Sequence, residues 1–326
     1  MSKSKKYRIG IDLGGTKTLV ALLDHKFRIV SKIKSKTKIH SGRKIFIKSI
    51  SENIHSLAKE AKISIARIAS IGIGCPGIID TKNGVVLSSP NIPFLNHFPL
   101  ANELKKATHL PVIIENDVNT GLYGEHQLGA AQGYRNVIGI FIGTGIGGGL
   151  IFNNELYRGS TGAAGEIGHM LLDPLGPLCG CGQHGCIEAM AGRLGIASEA
   201  ALIAARQKAP FLYKETGADI TKIKSNTLRK AIEAGDTDIE KLICEKARLV
   251  GLVMANLVNL LNPDLFVLGG GVVEALSKII IKEAQQTMRE HAMKPIVRHV
   301  RVKAALLKDD AIIIGAAKLA EQMESL

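Results

Sequence analysis

The chain of 326 residues carries 42 Lys and Arg against 29 Asp and Glu, a formal charge of +13, with 46% hydrophobic residues, 4% aromatics and no Trp. This apolar content excludes a disordered chain and suffices for one large or two moderate domains. The basic N-terminus lacks the apolar core of a signal peptide, and the nearest approach to a membrane span, LVGLVMANLVNLL (249–261), is too short and holds two Asn.

The charge excess sits mostly in residues 3–62, in runs such as KIKSKTK (32–38) and GRKIFIK (42–48). With few aromatics and no nucleic-acid-reading motif, these runs read as a solvated basic face, and no nucleic-acid partner is expected. The chain reads as cytoplasmic, so its cysteines are expected to be reduced. In chain order, the strand candidates are YRIGIDL (7–13), TLVALLD (18–24), IASIGIG (68–74), PVIIE (111–115), VIGIFIG (137–143), GGLIF (148–152) and LFVLGG (265–270). A helix is expected over 43–62, where Ile47, Ile50, Ile54, Leu57 and Ala61 recur at helical spacing. Another is expected over 239–261, stopped by Asn262-Pro263. Strands alternating with helices give an α/β fold. IGIDLGGTKTLVALLD (9–24) aligns without gaps on IGIFIGTGIGGGLIFN (138–153), which suggests two related domains, each opening on a glycine-turned hairpin, with a ligand cleft between them.

Both turns, DLGGTK (12–17) and GTGIGGG (143–149), have the form of phosphate cradles. Glycine lets backbone N–H groups converge on an anion, and Thr16, Lys17 and Thr144 add donors. Neither is a Walker A loop, and neither leads into a helix as a dinucleotide fingerprint does. Asp12, ahead of the first turn, is a hard oxygen ligand suited to Mg²⁺. ENDVN (115–119) ends a buried strand either as an Asx turn or as a carboxylate placed for proton abstraction. Glu166 and His169 in GAAGEIGH (162–169) share a face or flank one turn, and glycines 269–271 follow a buried strand. His169, Cys179, Cys181 and Cys186 form an H-x9-C-x-C-x4-C pattern; spacing alone leaves open a zinc site and a redox role.

Together with GCPGIID (74–80), CGCGQHGCIE (179–188) and LNPDLFVLGGGVV (261–273), these motifs resemble the ordered set of the ROK sugar kinases, which share the actin-like, hexokinase-type ATPase fold. The resemblance runs from residue 8 to DDAIIIGAAKLA (309–320). It implies two actin-like (ribonuclease H-like) lobes around an interlobe cleft, the smaller spanning 1–118 plus 306–326 and the larger 119–305. It implies an ATP-dependent kinase acting on the 6-hydroxyl of a hexose, most plausibly glucose. The neighbouring alternatives are an N-acetylglucosamine or N-acetylmannosamine kinase, a fructokinase, or a sugar-sensing regulator. The regulator is disfavoured because few residues precede the first hairpin. The resemblance makes Asp117 the general base and assigns sugar contacts to Asn91, Asn116, Glu166, His169 and Glu188. ATP would be held by Asp12 (through Mg²⁺), Gly14, Gly15, Thr16 and Lys17, by Gly143, Thr144 and Gly145, and by Gly269, Gly270 and Gly271 near the adenosine. It favours structural Zn²⁺ on His169, Cys179, Cys181 and Cys186, one ring nitrogen of His169 being left for the sugar. A homodimer is expected from the family. Phe94-Leu95, where the family often has Gly-Trp, and AMAGRLG (189–195), where it commonly has Ser-Gly, are departures.

Overall fold

Runs in which β-branched residues alternate with glycine form the leading strand of each of the two large sheets. The computed structural model describes residues 6–37 and 42–323. It divides into two packed units.

The first unit contains the described residues up to Gly133, Leu156–Ala164, and the chain from Asp309 onward. Its main sheet comprises β1 (Tyr7–Leu13), β2 (Lys17–Leu23), β3 (Ile29–Lys36), β4 (Ile68–Cys75) and, after the small β5 (Ile78–Asp80) and β6 (Val85–Ser88) hairpin, β7 (Val112–Asn116). The order is β3-β2-β1-β4-β7, antiparallel on the β1–β3 side and parallel from β1 to β7. All eight residues of β4 are buried, as expected of a strand covered on both faces. Helix α1 (Gly42–Glu60) buries Ile47, Ile50, Ile54 and Leu57, the residues whose spacing predicts it. Ile54 and Leu57 have no exposed surface, so truncating either to Ala costs about 2–5 kcal/mol. Helix α2 (Leu100–Thr108) joins the same core, and α3 (Asp117–Leu128) leaves the end of β7.

A final helix, Ala311–Gln322, packs on the sheet where Gly10 and Gly72 stand. A Cβ on either glycine would come within 1.9 Å of a carbonyl oxygen of that helix, so glycine in mid-strand is what permits the approach. The helix starts at Ala311, five residues after the expected segment opens, because a short turn at Lys308–Asp310 precedes it. The first unit also runs beyond residue 118, to Gly133, since α3 packs on this C-terminal helix. The basic run at 32–36 lies in β3, a strand not among those expected: its exposed lysines alternate with half-buried Ile33 and Ser35, a period of two that the charge obscures.

The second unit contains Tyr134–Glu155 and Gly165–Lys308. Its strands β8 (Val137–Ile142), β9 (Ile146–Phe152), β10 (Leu265–Gly269) and β11 (Arg301–Ala304) lie in the order β9-β8-β10-β11. The helices used below are α4 (Ile187–Ala191), α5 (Arg193–Ala205), α6 (Pro210–Thr216), α7 (Ser225–Glu233), α8 (Thr237–Leu261) and α9 (Gly271–His291). Helix α8 stops as its sequence predicts: Asn262 takes a left-handed conformation (φ 45°) ahead of Pro263. The β8–β9 hairpin repeats the β1–β2 hairpin, and in each unit the first strand also pairs in parallel with a later one. The turns differ by one residue. Leu13 pairs with Thr18 across four residues, whereas Ile142 pairs with Ile146 across Gly143–Gly145, so the ungapped repeat slips by one in its second strand.

Candidate active site

In the first unit, the pleat of β1 sets Asp12 beside Gly74 of β4 at the end of the sheet from which α3 departs. Burial pushes the Asp12 carboxyl up to about 7, and the negative charges of Asp117 and Asp309 push the same way against the pull of Lys34. A buried carboxyl raised by neighbouring carboxylates is a place suited to a cation. The turn beyond Asp12 is pinned by Gly14, whose N–H donates to the Lys17 carbonyl (3.0 Å) and whose carbonyl accepts from the Thr37 hydroxyl (2.6 Å). Thr16 and Lys17 are exposed. Gly15 lies against the backbone of Asn91; a Cβ there would stand 2.8 Å from the Asn91 carbonyl oxygen. This brings Asn91 to the first hairpin.

Asn116 caps α3. Its Oδ1 accepts from the N–H groups of Val118 (2.9 Å) and Asn119 (3.1 Å), and its Nδ2 donates to the Gly77 carbonyl (3.1 Å). Both ends of the amide are thus engaged by the protein, and Asp117 begins the helix at its positive end. Behind them stands Glu115, only 2% exposed. Its Oε1 accepts from Asn116 N–H (2.9 Å) and Asn119 Nδ2 (3.2 Å), and its Oε2 from Arg158 Nε (2.6 Å). Sequence reasoning missed this pair. Glu115 adjoins the motif it singled out, but Arg158 lies 43 residues away with no local signal.

In the second unit, Gly143 N–H donates to the Gly145 carbonyl (2.9 Å) and closes a turn that leaves Thr144 exposed. The start of α5 grips this turn: Arg193 donates to the Gly143 carbonyl through its N–H and to Thr144 Oγ1 through Nη2, both at 3.1 Å. Arg193 also lines a cavity of about 500 Å³ with Lys224, Ser225, Asn226, Arg229 and Gly271. Gly269 and Gly270 bring the chain into that position. A Cβ on Gly269 would strike the Phe141 ring at 2.6 Å, and Gly270 has a φ of +86° that only glycine adopts without strain. Arg193 and the 224–229 segment carry no motif that marks them in the sequence.

The cysteine motif folds into a knot of tight turns. Cys179 N–H donates to the Gln183 carbonyl (2.8 Å), and Leu171 bridges to Cys186. The ligand atoms of His169, Cys179, Cys181 and Cys186 all lie within 4.8 Å of one another. His169 Nδ1 is 3.7 Å from Cys179 Sγ, and Cys181 Sγ is 3.7 Å from Cys186 Sγ. Tetrahedral zinc, with bonds of about 2.3 Å to sulfur and about 2.0 Å to nitrogen, needs separations of about 3.5–3.8 Å. The four side chains therefore fit zinc. Burial, and then the neighbouring thiols Cys181 and Cys179, push the Cys186 thiol up to about 12, whereas the Gln183 N–H holds Cys181 below its usual range.

His169 turns Nδ1 to the thiols, leaving Nε2 on the other side, 3.9 Å from Glu166 Oε2. Glu188, in the first turn of α4, links two features. Its Oε2 accepts from Ile146 N–H (2.9 Å) at the hairpin, and its Oε1 lies 3.7 Å from Cys179 Sγ. Gly145 makes room for it; a Cβ there would meet Glu188 Oε2 at 2.1 Å. Within this unit the structure thus gathers Glu166, His169, the three thiols, Glu188 and the Gly143–Gly145 turn. No helix among the described residues is long and apolar enough to cross a membrane.

The ROK family model matches residues 8–323. A glucokinase of Thermotoga maritima is 32% identical over 96% of this chain and 97% of its own. Among solved structures, a ROK family glucokinase from Streptomyces griseus in complex with glucose and AMPPNP is 33% identical, with a TM-score of 0.82 over 97% of this chain and 99% of that one. A ROK hexokinase from Thermus thermophilus is 32% identical, with a TM-score of 0.79 over 98% of this chain and 99% of that one.

Proposed function

The chain belongs to the ROK family, and from that premise we infer that it is an ATP-dependent hexose kinase that transfers the γ-phosphate to the 6-hydroxyl of glucose. Its units have the actin-like ATPase fold of the ROK hexokinases. The observation that carries the reading is similarity at 32–33% identity over nearly the full length to glucokinases, one of them in complex with glucose and AMPPNP.

Asp117 is the general base. The Asn116 cap and Glu115 set its backbone at the first turn of α3, and its Oδ1 accepts from Val118 N–H (3.0 Å), which suits a carboxylate placed for the proton of the attacking hydroxyl. Phosphoryl transfer asks little more of a protein than alignment and charge compensation. Asp12 is suited to hold Mg²⁺, directly or through water, and the bound ion would neutralise charge on the phosphates. The N–H groups of Gly14, Gly15 and Gly143–Gly145, with Thr16, Lys17 and Thr144, would cradle those phosphates. The cavity beside Gly269–Gly271 suits the adenosine, with Asn226 and Arg193 at its wall.

On the sugar side we assign Glu166 Oε2, His169 Nε2 and Glu188 as hydroxyl partners, with Asn91 beside the first hairpin. Asn116 caps α3 through Oδ1 and gives one Nδ2 hydrogen to the Gly77 carbonyl, and we assign its second Nδ2 hydrogen to a sugar hydroxyl. Zinc on His169 Nδ1, Cys179, Cys181 and Cys186 would fix the His169 ring and leave Nε2 as donor. Cysteines serving as metal ligands suit the reducing cytoplasm. The reading extends to a soluble homodimer with no nucleic-acid partner, which sizing of the purified protein tests.

The decisive experiment is an ADP-release assay across glucose, N-acetylglucosamine, N-acetylmannosamine, fructose and mannose, with Asp117→Asn as control. Glucose should be turned over with the highest kcat/KM, and the variant should lose about 10²–10⁴-fold in kcat. Turnover of an N-acetylhexosamine alone, or an active variant, would overturn the assignment.

A further inference from the structure

Thr37, the residue after β3, meets the DLGGTK hairpin twice. Its N–H donates to the Thr16 carbonyl (3.0 Å), and its hydroxyl donates to the Gly14 carbonyl (2.6 Å). Thr18 stands opposite Ser35 in the β2–β3 register, so Thr37 lies diagonally across from it on the same face. The two hydroxyl oxygens are 2.9 Å apart. Because the Thr37 proton is committed to Gly14, Thr18 is the donor of that pair. Donors therefore run from the Thr18 hydroxyl through the Thr37 hydroxyl to the Gly14 carbonyl. Thr18 is 3% exposed and Thr37 9%, so water reaches neither hydroxyl freely.

The Gly14 carbonyl and the Gly15 N–H belong to one trans peptide unit, in which they point in opposite directions. Holding the carbonyl toward Thr37 turns the Gly15 N–H away from Thr37, and among the described residues that N–H meets no acceptor. Two adjacent glycines let such a unit turn over at little cost. Glycine is nonetheless required at position 15, where a Cβ would stand 2.8 Å from the Asn91 carbonyl oxygen. The hairpin thus has a loose peptide unit at its tip, fastened from behind by a buried hydroxyl. The sheet itself does not call for that hydroxyl. The Thr37 N–H already extends the β2–β3 ladder, whereas the hydroxyl reaches past β2 to the residue that follows β1.

We propose that Thr37 is a positioning residue for the nucleotide: its hydroxyl locks the Gly14–Gly15 peptide unit with the Gly15 N–H presented to a phosphate oxygen of ATP, and Thr18 orients that hydroxyl. This rests on the kinase reading above. Thr37 touches neither substrate; it acts through the backbone donor of Gly15.

The test titrates AMPPNP into the full chain with Mg²⁺ and glucose by calorimetry, and measures KM for ATP and for glucose in a coupled ADP-release assay. Thr37→Val keeps the side-chain shape and removes the hydroxyl. It should weaken AMPPNP binding and raise the KM for ATP about 5–10-fold, while the KM for glucose stays within about twofold. Thr37→Ser should restore both nucleotide values to within about twofold of wild type. Thr18→Val should weaken AMPPNP binding only about twofold, and the double variant should match Thr37→Val alone, because Thr18 acts through Thr37. Thr37→Ala carries the same expectation if the valine variant does not fold. Unchanged AMPPNP affinity in the variant without the hydroxyl overturns the inference. So do a serine variant that stays impaired, strictly additive losses in the double variant, or a glucose KM that rises in step with that for ATP; each would leave Thr37 a structural bond only. Absence of product from ATP with the wild type instead overturns the kinase reading, and the AMPPNP titration still decides the role of Thr37.

Discussion

Replacing Arg158 with Met should destabilise the protein by about 2–3 kcal/mol and lower kcat more than it changes the KM for glucose. The magnitude follows from what the guanidinium does. Glu115 is 2% exposed, and its Oε2 accepts from Arg158 Nε at 2.6 Å. A hydrogen bond to a charged group contributes about 1.5–3 kcal/mol, and removing one partner of a fully buried ion pair costs about 3–5 kcal/mol. Arg158 is 33% exposed in its side chain, and Glu115 Oε1 keeps two other donors. Water and those donors soften the loss, which places it below the range for a fully buried pair, at about 2–3 kcal/mol. Glu115→Gln should cost about 1–2 kcal/mol, since the amide oxygen still accepts while the exposed guanidinium finds water. The double variant should cost less than the sum, with a coupling of about 1 kcal/mol or more. Urea unfolding measures the stabilities, and initial rates with glucose measure the catalytic effect. Single variants within about 0.5 kcal/mol of wild type, or strictly additive losses, would mean that the pair does not hold the Asn116–Asp117 turn.

The raised Asp12 carboxyl keeps its proton up to about pH 7, so kcat/KM for ATP should climb about tenfold from pH 6 to pH 8; a flat profile contradicts its role toward Mg²⁺. By the same sign, a charge that burial disfavours makes stability fall as pH rises from about 4 to 7. Asp12→Asn should therefore gain more stability over wild type at pH 8 than at pH 5 by thermal unfolding. The purified protein should carry one zinc per chain by elemental analysis, and Cys181→Ser should reduce that content and raise the glucose KM about tenfold or more. An unchanged KM on loss of the metal would separate the knot from the sugar site. Arg193→Ala, which removes the Nη2 contact to Thr144 while keeping the backbone bond to Gly143, should raise the KM for ATP about 5–10-fold and leave that for glucose unchanged in the same coupled assay.

How far the sequence reaches depends on whether the governing interaction is local. Glycine turns, alternating β-branched strands and the Ile47–Leu57 stripe each act over a few residues, and they appear where the pattern places them. The β3 strand was hidden because lysines on its exposed face dominate a composition-based reading, although Ile33 alternates beneath them. Asn116 illustrates the middle case: the sequence offers an amide beside the base, but only the backbone direction after β7 decides that the amide caps a helix. Arg158, Arg193 and the 224–229 wall of the cavity meet their partners through folding, and nothing within their own neighbourhood foretells it.

Glu188 touches both the thiol cluster and the hairpin turn. Two binding events that share one side chain are thermodynamically reciprocal: whatever factor a bound metal adds to nucleotide affinity, bound nucleotide adds to metal affinity. On the kinase and zinc readings proposed above, metal supply would become an input to the capacity for phosphoryl transfer, entering through a single carboxylate.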